Sequence, residues 1–217
     1  MNSDENVKFS ELDKILLKQR EKVFNIMGNG APISVISLYI MASIKRIETN
    51  VSGFKLLASS AYYPIIGAII RMQIDTAMRL NGLNLMRDKY NSVGKLLEGM
   101  PFDQILHQNG SRLRDKLLLS ELTKQHSWVE RVYRKTSGLI HLSDMHVLHA
   151  LDFQNGKIQE DGNLAIDIVM SQSAPELPPG VIAEALEGFT HATAMASALA
   201  MVQLEHETSR LVREFPQ

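Results

Sequence analysis

The sequence predicts an all-α fold, an antiparallel helical bundle carrying a small β-hairpin insertion around 148–170. Three observations carry this reading. Apolar residues recur at helical spacing towards both ends of the chain, and strict alternation is confined to a short region near Asn155 and Gly156. Nothing reads as a linker, a repeat or a low-complexity tract. At 217 residues the expectation is one helical domain covering 1–217. A chain of that length buries roughly 70% of the surface its unfolded form exposes, enough to fold on core packing alone.

Leu12, Ile15, Leu16, Val23, Phe24 and Met27 predict a first helix over 9–27. Ser10 and Asp13 have the spacing of a capping box, and Gly28 supplies a stop. Ile33, Ile36, Ile40 and Ile44 form the stripe of a second helix over about 32–49, with Pro32 suited to its first turn. A third is expected over about 61–82, because Pro64 is tolerated only in a first turn and Asn81-Gly82 ends the pattern. Further helices are expected over 85–98, 112–125 and 128 to roughly 142, with a loop at 99–110 that has room for a short helix. Asn155-Gly156 between alternating runs is a hairpin signal, and Leu164, Ile166, Ile168 and Met170 alternate as a strand does. Pro175, Pro178 and Pro179 mark a connector. The last helix, over 181–215, should be about 50 Å long. Its small residues, among them Ala192, Ala196 and Ala200, suit close packing in the core, and self-association through them is the alternative.

Composition removes several classes of function. Twenty-three Lys and Arg against twenty-four Asp and Glu give a net charge of −1, so no global field draws in nucleic acid or anionic membrane. Cysteine is absent, which excludes disulfides, thiolate nucleophiles and Cys-based metal sites. The polar, mixed-charge N-terminus predicts no signal peptide and a cytoplasmic protein. The apolar runs at 56–70 and 181–204 are interrupted by polar or charged residues, so no membrane span is expected. His141, His146 and His149 lie close together, but no single helix face holds all three and no carboxylate repeats beside them. No metal and no cofactor are expected. Neither a phosphate-binding Gly-Lys-Ser/Thr loop nor a Gly-x-Ser-x-Gly elbow is present.

The informative segment runs from Trp128 to His146. On a helix, Tyr133, Ser137 and His141 follow at i, i+4 and i+8, while Arg134 and His141 are two turns apart. That is a ledge of phenol, hydroxyl, guanidinium and imidazole. A proton-transfer group beside an anion-binding one is what phosphodiester chemistry at RNA requires. The same residues also fit an architectural part, with Ser137 and His141 satisfied where helices cross and Arg131 and Arg134 solvated. Arg71 and Asp75 lie one turn apart on the stripe Gly67, Arg71, Asp75, Arg79. Asp75 can supply the charged partner that Arg71 needs, and an ordinary exposed polar stripe is the alternative. If that stripe faces inward, Arg71, Asp75, Ser137 and His141 form one polar network between two helices.

Arg134-x6-His141 resembles the Arg-x4–6-His signature of the HEPN superfamily. Tyr133-x3-Ser137-x3-His141-x-Ser143 also resembles a bacterial HEPN-like helical family of unassigned function, in which an earlier helix carries an Arg followed four residues on by an acid. Arg71 and Asp75 stand in that place here. The motif residues fall within about 62–149, and the HEPN-like core would cover about 31–215. The resemblance implies a metal-independent ribonuclease of a toxin or phage-defence system. Arg134 and His141 would be catalytic, Tyr133 and Ser137 supporting, and Arg71, Asp75, Ser143 and His146 part of the network. It further implies a homodimer, RNA as substrate, and an antitoxin or other protein partner. A non-catalytic, dimeric binding or regulatory module with a structural Arg-Asp-Ser-His network is the reading from a different class.

Overall fold

Small residues at one-turn spacing let the last helix act as the axis on which the others pack. The computed structural model describes residues 3–28, 30–59, 63–140, 151–158, 164–168 and 180–214. Among them are seven α-helices: α1 (Ser3–Met27), α2 (Val35–Ala58), α3 (Tyr63–Gly82), α4 (Lys89–Leu97), α5 (Asp115–Thr123), α6 (Trp128–Ser137) and α7 (Val181–Glu214). Ala192, Ala196 and Ala200 on α7 are fully buried, and α7 packs against α1, α2 and α3. The small-residue face is therefore spent inside the chain. Phe189 of α7 stacks on Phe54 of α2, with ring centroids 3.9 Å apart and nearly parallel planes. No described helix is long and apolar enough to cross a membrane.

Two polar inserts fix how these helices align. Asn50 Nδ2 donates to Gln73 Oε1 at 2.8 Å, and Gln73 Nε2 donates to Thr193 Oγ1 at 3.1 Å, tying α2 to α3 and α3 to α7. Ser197 Oγ donates to Gln19 Oε1 at 2.7 Å and ties α7 to α1. The Asn50–Gln73–Thr193 chain satisfies its buried amides and so favours one register of packing, whereas Gln19 accepts from Ser197 while its Nε2 is buried without a partner. At the far end of α7, the buried Glu207 accepts from Ser34 Oγ at 2.6 Å, from the Tyr90 hydroxyl and from Arg210.

Several boundaries differ from expectation, each for a local reason. α1 begins at Ser3, so Ser10 and Asp13 lie inside it rather than capping it. α2 begins after Pro32: Ser34 is the N-cap and makes a reciprocal capping box with Ser37. It also runs on to Ala58 through the turn-like Asn50, Ser52 and Gly53, because Asn50 finds Gln73 and the neighbouring Val51 and Phe54 are buried. The expected helix over 85–98 is a 3-10 turn at Leu83–Leu85, then an extended Met86 bridged to His107, then α4 capped by Asp88. The loop at 99–110 carries a 3-10 turn at Phe102–Gln104. Pro64 falls in the first turn of α3, and α7 spans nearly the whole expected range.

Two strands, β1 (Leu151–Ile158) and β2 (Leu164–Ile168), pair antiparallel. Leu151 pairs with Ile168 and Ile158 with Leu164, with an irregularity in the ladder between Asp152 and Lys157. Asn155-Gly156 lies inside that irregularity, within β1, and is not the connection between the strands.

Candidate functional site

The helix α6 is short, and only part of it is apolar, so polar contacts must hold it in place. Val129 and Thr136 are buried on its inner side. Tyr133 lies beside them, and the Arg71 guanidinium of α3 sits 3.5 Å from its ring centroid. Such a cation over an aromatic face is attracted by the ring quadrupole. Burial pushes the Tyr133 phenol above its ordinary pKa, and the neighbouring Arg71 charge works against that shift.

Behind this contact lies a ladder of alternating charges. Arg46 Nη1 is 3.3 Å from Asp75 Oδ2, and Asp75 Oδ1 is 3.1 Å from Arg79 Nη2. Arg79 Nη2 then reaches Asp115 Oδ1 at 2.6 Å, and Arg71 Nη2 lies 3.8 Å from Asp115 Oδ2. Arg79 also lies over the Phe102 ring, 4.7 Å from its centroid. The ladder therefore joins α2, α3 and α5, and Tyr133 adds α6. Arg71 Nε and Arg79 Nη1 are buried without a hydrogen-bond partner, so both guanidinium groups rely on ring faces and on a carboxylate to offset desolvation. Tyr39 is half-buried near these charges. Burial is the main cause that pushes its phenol up to about 12, with Arg79 and Arg46 opposing and Asp75 adding.

The stripe Gly67, Arg71, Asp75, Arg79 does face other helices, but its pairing differs from expectation. Asp75 pairs with Arg79 and Arg46, and Arg71 turns to Asp115 and Tyr133. The reason is orientation: an acid placed four residues before a base pairs better than the reverse order. Gly67 leaves room for Leu139: a Cβ there would lie 2.1 Å from Leu139 Cδ1, so that side-chain tip would have to move.

The expected ledge residues that are described, Tyr133, Arg134 and Ser137, each make a separate contact. Tyr133 is turned inward under Arg71. Ser137 Oγ donates to the Tyr133 carbonyl at 2.7 Å, inside its own helix. Arg134 points outward, its side chain 76% exposed, and Arg134 Nη2 is paired with Glu130 at 2.7 Å. His141, Ser143, His146 and His149 lie outside the described residues. Among the described residues, no group of three or more His, Asp or Glu is placed to hold a metal ion.

A cleft of about 340 Å3 opens between α6 and α7, with Gly67 and Ile70 of α3 contributing to its lining. Its α6 wall carries Trp128, Arg131 and Lys135, and its α7 wall carries Glu184, Glu187 and His191. Lys135 Nζ pairs with Glu184 Oε2 at 3.0 Å and bridges the two walls. Trp128 and His191 meet with ring centroids 6.0 Å apart and planes tilted by 55°.

Sequence reasoning missed Asp115, Arg46 and this cleft. Asp115 opens a short helix between Arg114 and Lys116 and reads as a surface charge; only the fold brings it to Arg79 and Arg71. The one available signal was Arg79, four residues after Asp75 on a stripe already seen. No family model, no curated protein and no solved structure matches the chain.

Proposed function

We propose that this chain is a non-catalytic helical binding module. α6 is a structural part held by the contact between Arg71 and Tyr133 and by the ladder behind it, and the cleft between α6 and α7 receives the ligand. The observation that carries this reading is how the described motif residues are engaged. The half-buried Tyr133 lies against Arg71, the half-buried Ser137 donates within its own helix, and Arg134 is the most exposed of the three. A pocket of a few hundred Å3 with mainly apolar walls and a few polar groups is the usual form of a small-ligand site.

Exposure of Arg134 favours a second reading, the metal-independent endoribonuclease of a toxin or phage-defence system. An exposed i,i+4 pair is worth only about 0.5 kcal/mol, so RNA phosphate can draw Arg134 away from Glu130. In that reading Arg134 stabilises charge on the phosphate, and His141 acts as acid or base at the ribose 2′-hydroxyl or the leaving oxygen. Tyr133 and Ser137 position the substrate, a homodimer joins two signature helices, and an antitoxin-like partner neutralises the activity. Both readings assume a cytoplasmic protein and an antiparallel bundle with a hairpin insertion around 148–170.

The deciding experiment incubates wild type, Arg134→Ala and His141→Ala with mixed RNA in EDTA, with helix content checked by circular dichroism. The module reading expects no cleavage by wild type. Cleavage by wild type that is lost in both folded variants overturns it in favour of the nuclease. Light scattering over a concentration range measures the oligomeric state for either reading.

A further inference from the structure

The cleft between α6 and α7 has a chemical bias that narrows its ligand, given the reading of the chain as a binding module. Its lining is mostly apolar, with Ile70, Val132, Val181 and Ala185 contributing. Of its four charged side chains, Lys135 and Glu184 neutralise one another across the walls. Arg131 on α6 and Glu187 on α7 are exposed, face the same cleft from opposite walls, and have no ion-pair partner among the described residues. A ligand that matches this arrangement brings an apolar body for the lining and one charge of each sign for the rim. A purely anionic ligand leaves Glu187 opposed, and a purely cationic one leaves Arg131 opposed.

The geometry points to a small zwitterion with an apolar body, the chemistry of a free α-amino acid with an apolar side chain. Its carboxylate pairs with Arg131, its ammonium with Glu187, and its side chain enters the apolar part of the cleft. Arg suits a carboxylate because its planar fork presents paired donors. The size agrees, since about 340 Å3 lies at the small end of ligand sites. Gly188 helps keep the cleft open: it lies in the lining, and a Cβ there would meet nothing within 4 Å.

Trp128 is the chain's one tryptophan and stands in the cleft wall, so its emission reports on occupancy directly. The test titrates the full chain with L-leucine to about 10 mM, which detects affinities down to the millimolar range. L-leucinamide, N-acetyl-L-leucine and L-glutamate serve as comparison probes. The expected result is a saturable change with L-leucine, at least tenfold weaker binding for the amide and the acetyl derivative, and weak binding of L-glutamate. Arg131→Ala and Glu187→Ala, both at exposed positions, should weaken L-leucine at least tenfold, and Gly188→Leu should abolish the response by filling the cleft. Helix content checks each variant, and the two rim variants decide the matter if Gly188→Leu does not fold. No saturable change with L-leucine overturns the proposal, as does a change that the rim variants leave intact. Equal response to the amide or the acetyl derivative overturns the zwitterion assignment. RNA cleavage is read separately, so failure of the ligand class and failure of the module reading are distinguishable.

Discussion

The Arg71 guanidinium lies 3.5 Å from the centroid of the Tyr133 ring, and through it helix α6 is fastened to the core helix α3. Arg71 is itself only 10% exposed at its side chain, so it cannot turn to water if the ring is taken away. Part of what looked like a catalytic ledge is therefore a fastening between helices.

Tyr133→Phe keeps the aromatic face and should cost less than about 0.5 kcal/mol. Tyr133→Ala removes the ring beneath a buried cation and should cost roughly 1 to 3 kcal/mol. Urea unfolding followed by circular dichroism separates the two. Equal losses in both would mean that the hydroxyl, and not the ring face, holds α6.

Arg79 bridges two carboxylates, Asp75 and Asp115, which makes it the centre of the ladder. Arg79→Met should destabilise by about 2 to 4 kcal/mol, because Asp75 is left with Arg46 alone and Asp115 with the distant Arg71. Adding Asp115→Asn should recover part of that loss, a coupling that a double-mutant cycle measures. Strictly additive losses would contradict a shared network.

Where the sequence could be read, local signals agreed with tertiary demand. Pro64 and Gly82 bound α3, and the small residues of α7 announce close packing that Ala192, Ala196 and Ala200 then carry out. Where it misled, the deciding partner lay on another helix. The second helix is expected to end near 49 but runs on because Asn50 donates to Gln73, and Asp115 reads as a surface charge until α5 docks beside α3. Asn155-Gly156 carries the dipeptide of a hairpin turn, yet the ladder places it within β1. For the site, Tyr133 and Arg71 were legible as candidates but not as partners. Their contact depends on the rotation of α6, which residue spacing does not determine.

Stability should fall in alkali, and Tyr39 gives the sign. Its folded-state pKa is raised to about 12 from an ordinary value near 10. The folded chain thus holds the phenol proton when the unfolded chain has released it. That stabilisation is complete below about pH 10 and is lost as pH rises towards 12. A shift of this size corresponds to roughly 2 to 3 kcal/mol by linkage. Tyr39→Phe should flatten this part of the stability profile, measured as urea midpoints across the alkaline range. An unchanged slope in the variant would assign the alkaline loss to other groups.

The chain of amides through the core should show the asymmetry expected of buried hydrogen bonds. Gln73→Met leaves Asn50 Nδ2 without its acceptor and Thr193 Oγ1 without its donor, in a site where Gln73 is fully buried. The expected cost is about 1 to 3 kcal/mol, set by the stranded polar groups more than by the lost bonds. Replacing both ends of the first link, as Asn50→Leu with Gln73→Met, removes the stranded donor together with its acceptor. Methionine is close to glutamine in shape and leucine to asparagine, so packing changes little. The double variant should therefore be more stable than the sum of the two single losses predicts, by at least about 1 kcal/mol. Denaturant midpoints measured at constant m-value test this. A sum that matches the single variants would mean that water already reaches Asn50 and that the α2–α3 link does not select the packing.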